Sequence, residues 1–103
     1  MISEQKIQAA IDEVRAIARV DVCVFEPGGR AAASAMEQGE LPGKELVESF
    51  ALSPAESQTV SGCHFFKVTV KGRMEYILAV RGYGQDVDVI GRLAASQLGR
   101  LIS

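Results

Sequence analysis

A chain of 103 residues with 48% hydrophobic and 23% charged residues has the composition of one soluble globular domain over residues 1–103, large enough for a core and too short to split. Its apolar runs last only a few residues against the roughly 20 needed to span a bilayer, and the polar start Ser3-Glu4-Gln5-Lys6 is unlike a secretory signal, so no membrane association and a cytoplasmic location are expected. Eleven basic and thirteen acidic side chains, net −2, give no positive field for phosphates, which argues against nucleic-acid binding by this segment alone.

The first element is a helix over residues 3–19, with Ile7, Ala10, Ile11, Val14, Ile17 and Ala18 on one stripe. Ser3 is placed to cap it, and Lys6 stands where a capping box would have Glu. Val20 to Phe25 follows as a strand, its β-branched Val20, Val22 and Val24 alternating with Asp21, Cys23 and Phe25. Pro27-Gly28-Gly29 is a turn. Arg30 to Ala35 is too short for a helix between that turn and the next loop, so it reads as a small-residue strand that another element can approach closely.

Met36 to Gly43 is a polar loop, and Lys44 to Ala51 is a short helix ended by Ser53-Pro54. Ala55 to Gly62 is a connecting segment able to supply an irregular edge strand. His64–Val70 and Met74–Arg81 form a hairpin about Lys71-Gly72-Arg73, with Phe66, Val68 and Val70 opposed to Phe65, Lys67 and Thr69. After Gly82-Tyr83-Gly84 the period becomes helical from Val87 to the end, through Ile90, Leu93, Ala94, Leu98 and Leu101. The expected class is α+β: an antiparallel sheet of four to five strands in the order α-β-β-α-β-β-α, with the first and last helices together on one side.

Enzyme chemistry has little to rest on. The single histidine, His64, follows Cys63, but neighbours on an extended strand point to opposite faces and form no nucleophile-base pair. Cys23 and Cys63, forty residues apart, make neither a redox CxxC nor a zinc knuckle and are expected as free thiols; no metal and no cofactor is expected. Asp86 and Asp88 already carry negative charge in the first turn after Gly82-Tyr83-Gly84, which disfavours a phosphate there.

The element order resembles the PAS/GAF/profilin-like group of small sensor and adaptor domains. The run Val20-Asp21-Val22-Cys23-Val24-Phe25-Glu26-Pro27-Gly28-Gly29-Arg30-Ala31-Ala32-Ala33-Ser34, with Tyr76 to Gly82 and Val89 to Leu98, is similar to the N-terminal sensory region of bacterial sugar-diacid and purine-catabolism type transcription regulators. That resemblance implies a sensing half separated from its DNA-binding part, and the uncapped end at Leu101-Ile102-Ser103 fits a cut chain. It implies a small-metabolite ligand, such as a sugar acid, and a signal passed through the last helix.

A ligand pocket between the sheet and the short helix would draw on Arg30 and Arg81 for bidentate carboxylate contacts and on His64, Tyr76 and Thr69 for hydrogen bonds. The rival function is a homodimerising scaffold of roadblock/profilin-like type with no pocket. Surplus apolar surface on the terminal helices predicts a homodimer interface of Ile7, Ile11, Val14, Ile90, Leu93, Leu98 and Leu101, because one sheet face can cover only one of the two stripes on the last helix.

Overall fold

In a computed structural model, which describes residues 3–103, the chain runs α1 (Glu4–Ala18), β1 (Asp21–Phe25), β2 (Ala31–Ala35), a 3₁₀ turn (Gln38–Glu40), α2 (Lys44–Leu52), β3 (Ser57–Val60), β4 (Cys63–Val70), β5 (Arg73–Arg81) and α3 (Val87–Ile102). The strands form one antiparallel sheet in the order β2-β1-β5-β4-β3. The α+β class and the predicted order hold, with the 55–62 segment supplying the fifth strand.

Local chemistry sets the boundaries. Ser3 caps α1 as expected, its hydroxyl accepting from the Lys6 N–H at 3.3 Å, and Arg19 ends the helix in left-handed backbone with φ 57°. The hairpin turn is tighter than predicted, because Arg73 already pairs with Val70 and leaves only Lys71 and Gly72 in the loop. Both have positive φ, 51° and 78°, and Ser61 and Gly62 repeat that geometry between β3 and β4 at 50° and 76°. Two-residue turns of this hand match the twist of the strands they join, so the chain makes two hairpins in succession. The loop after β2 holds a 3₁₀ turn that the polar sequence did not signal.

Alternation along the strands divides the core into two layers. Val22, Val24, Phe66, Val68, Leu78 and Val80 face α1 and α3, meeting Ile7, Ile11, Val87, Ala94 and Leu98. Cys23, Phe25, Cys63, Phe65, Ile77 and Ala79 face the other way and are covered by Val47 and Phe50 of α2. The terminal helices therefore share one face, as expected, with α1 over β1 and β2 and α3 over β4 and β5. Among the described residues no polar or charged side chain is buried.

Helix α3 lies unusually close to the sheet. A Cβ on Gly91 would fall 2.1 Å from the Phe66 ring, and one on Gly99 would fall 3.0 Å from the Thr69 carbonyl oxygen. With Ala95 between them, these residues present an almost flat helix surface to β4. At the opposite end of the sheet, Gln8 of α1 hydrogen-bonds the backbone of Ser34 and covers the edge of β2. The β3 edge carries exposed Gln58 and Thr59 instead.

Candidate interaction surface

The five residues predicted to hold a ligand do not converge. Arg30 precedes β2 and bridges two acids: its Nε donates to Glu26 at 2.5 Å and its Nη2 to Glu4 on α1. The hydrogen bond from Arg30 holds the Glu26 carboxyl below its ordinary value, and the two acids raise Arg30 in turn. Tyr76 lies near this cluster on the α1–α3 face; burial pushes its phenol up, and Glu26, Glu4 and Glu75 add to the rise. Arg30 is thus a tie between α1 and the β1–β2 turn, already occupied by carboxylates of its own chain.

Arg81 and His64 lie toward the other end of β5. Arg81 is the cross-strand partner of Asp21, and His64 that of Val80. Their side chains leave opposite faces of the sheet, since His64 alternates with Cys63 and Phe65 while Arg81 shares the side of Ile77 and Ala79. His64 Nδ1 lies 3.2 Å from the Thr59 hydroxyl across β3. Thr69 is exposed near the hairpin tip.

The layer in which a pocket was expected is filled. Phe50 of α2 packs on Phe65 with ring centroids 5.6 Å apart, Lys67 holds its ammonium 5.2 Å from the Phe50 ring, and the same ammonium donates to the Ser53 carbonyl at the end of α2. Cys23 and Cys63 are free and fully buried beneath the helix. Burial pushes the Cys23 thiol up to about 11 and raises Cys63 as well, opposite to what a reactive nucleophile requires. Among the described residues no arginine, histidine or tyrosine is buried in this layer.

The predicted helical interface separates into two groups. Ile7, Ile11 and Leu98 are core residues packed against the sheet, so they are not available to a partner. Val14 and Ile90 are half-buried walls of a groove between α1 and α3, with Leu93 and Leu101 standing out beside them. Ile17, expected on the core stripe, is 76% exposed on the same groove; Leu93 is 60%, Val89 55% and Leu101 44% exposed. Three of the six large apolar side chains found exposed among the described residues, Ile17, Leu93 and Leu101, thus gather on one groove.

The geometry of this surface follows from helix angles. At about 100° per residue, Ile17 lies about 80° around α1 from Ile7 and Leu93 about 120° around α3 from Val87, so both leave the sheet and meet above it. The groove floor is Ala10 and Ala94, and its polar lining is limited to Glu13 and Gln97. Small residues on the floor and branched residues on the rim make alternating holes and knobs. The sequence signal was the surplus apolar surface on the last helix, more than one sheet face can cover.

No family model matches the chain, and no curated protein does. Among the described residues, no group of acids, histidines and cysteines is arranged to hold a metal, and no helix is long and apolar enough to cross a membrane. Among solved structures the chain is similar to MglB from Myxococcus xanthus, with a TM-score of 0.62 at 16% sequence identity, over 99% of this chain and 92% of that one. The likeness is one of fold, and the α+β architecture is of the profilin/roadblock-like kind.

Proposed function

We propose that this protein is a non-catalytic interaction scaffold that works as a homodimer, joined through the groove between α1 and α3. The observation that carries the reading is the gathering of Ile17, Leu93 and Leu101 on that groove, where they stay in contact with water. Contiguous apolar surface of this kind is a mark of protein contacts. In a two-fold pair each copy supplies the same patch, so the rim residues of one can enter the alanine floor of the other. The fold likeness supports a scaffold in preference to a receptor. The metabolite-sensing reading has less to rest on, because Arg30 and Tyr76 lie apart from Arg81 and His64 and the layer under α2 is filled.

Sedimentation equilibrium at micromolar concentrations tests this. The wild-type mass should be that of two chains, and Leu93→Glu or Ile17→Glu should give one chain with an unchanged circular dichroism spectrum. A wild-type monomer throughout would defeat the proposal. A dimer that survives both substitutions but is lost in Gln58→Pro would move the contact to the β3 edge.

A further inference from the structure

A cleft of about 630 Å³ opens where β1 begins and β5 ends, lined by Arg19, Asp21, Glu40, Gly62, Arg81 and Tyr83 with Gly82 at its base. It shares no lining residue with the α1–α3 groove. Arg81 is fixed here by two carbonyls: its Nε donates to Glu40 at 2.8 Å and its Nη1 to Ser61 at 3.2 Å. Carbonyls orient a guanidinium without neutralising it, and neither Arg81 nor Arg19 joins an ion pair among the described residues. Two cations therefore line one cleft outside any ion pair, with Asp21 and Glu40 as the acids of the same lining.

The acids of the cleft have the converse condition. Asp21 is the cross-strand partner of Arg81 and has Arg15 at 3.4 Å. Glu40, whose backbone carbonyl Arg81 holds, lines the same cleft as Asp21. Hydrogen bonding to Asp21, followed by the charges of Asp21 and Glu37, raises Glu40 above its ordinary value, with Arg81 opposing. Crowded carboxylates of this sort gain when a cation enters between them. Tyr83 stands fully exposed at the rim with glycine on either side, and Gly84 has φ 105°.

We propose that this cleft binds a free α-amino acid, its carboxylate on the guanidinium groups of Arg19 and Arg81, its ammonium between Asp21 and Glu40, and its side chain toward Tyr83. A ligand with one charge would satisfy half of the cleft and meet like charge in the other half. A zwitterion satisfies both, and each contact is a charge-assisted hydrogen bond. The inference goes beyond the scaffold reading and does not depend on it, because a monomer would present the same cleft.

The test is a thermal-shift and amide-NMR screen of the common L-amino acids at millimolar concentration, followed by the decarboxylated amine and the deaminated acid of the best binder. At least one amino acid should raise the melting temperature and shift the amides of Arg19, Asp21, Gly62 and Tyr83. Its amine and acid counterparts should each bind at least about tenfold more weakly. Arg19→Gln and Glu40→Gln should lose binding by a similar factor while melting like the wild type without ligand, since Glu40→Gln keeps the carbonyl that Arg81 holds. The proposal fails if no amino acid shifts those amides, if either single-charge analogue binds as tightly, or if both variants bind unchanged.

Discussion

The side chain of Gln8 closes on the backbone of Ser34 from both directions, its Nε2 donating to the Ser34 carbonyl at 2.7 Å and its Oε1 accepting from the Ser34 N–H at 2.9 Å. A primary amide presents an N–H and a carbonyl oxygen side by side, as an adjacent strand would, so a residue of α1 completes β2 where the described residues supply no sixth strand, its second N–H donating to Asp12. The bare edge of a sheet is a template for unwanted pairing. Gln8→Ala should lower stability by about 1 to 3 kcal/mol through the part-buried groups it leaves unpaired, and it should increase aggregation on heating. Urea unfolding and light scattering would check this, and a variant as stable and as soluble as the wild type would contradict it.

Contact between Gly91 and Phe66 sets a second expectation. A methyl group at position 91 would lie 2.1 Å from the Phe66 Cε2 atom, with the ring's neighbours in the core on its far side. Gly91→Ala gains helix propensity, yet overpacking of this type costs about 1 to 3 kcal/mol and decides the sign. The variant should therefore be less stable. Adding Phe66→Leu, which is destabilising by itself, should cost less in the Gly91→Ala background than in the wild type, a coupling that a double-mutant cycle of unfolding free energies would measure.

Much of this fold could be read from the chain because its signals were local. Alternation at Val20–Phe25 and His64–Arg81 gave the central strands, and Ser3 gave the start of α1. β3 was harder, since Ser57–Val60 is a polar edge strand with little alternation, and the Ser61-Gly62 turn after it lay inside a segment read as a connection. The site was less legible for a different reason. Arg30, His64, Tyr76 and Arg81 were grouped by chemistry and by nearness to strand ends, but register and strand parity decide which end and which face each occupies. Ile7 and Ile17 belong to one hydrophobic stripe in sequence, while the sheet is wide enough to cover only the first.

Leu98 and Leu93 should respond in opposite ways to the same substitution. Leu98 is 3% exposed within the core, so Leu98→Glu puts a charge among apolar groups and should cost more than about 3 kcal/mol, enough to unfold a domain of this size in part or completely. Leu93→Glu should leave the melting temperature within a few degrees of the wild type. Thermal unfolding of the two variants would distinguish them, and a stable, folded Leu98→Glu monomer would show that Leu98 belongs to an interface after all.

The buried thiols make an alkaline prediction. Burial raises Cys23 from 9.0 to about 11 in the folded protein, so above pH 9 the unfolded chain releases a proton that the folded chain retains. Stability from this group is complete below pH 9 and is lost as pH rises toward 11. Cys63 acts in the same direction. Cys23→Ala should flatten the fall in stability over that interval in denaturant titrations, and an equally steep fall in the variant would show that other groups cause it. Alkylation of either thiol at neutral pH should be slow until denaturant is added.

The flat surface that Gly91, Ala95 and Gly99 turn toward β4 has a bearing on the thickness of the whole helical layer. A helix seated on leucines stands off its sheet by the length of those side chains, whereas α3 comes down nearly to the backbone of β4, close enough for a Gly99 Cβ to reach the Thr69 oxygen. Val87 and Leu98 of the same helix still enter the core, while Val89 and Leu93 look away from the strands. Two copies meeting over such helices would bring their sheets nearer together than ordinary helix layers permit, with the spacing between the sheets governed by residues that never touch the partner.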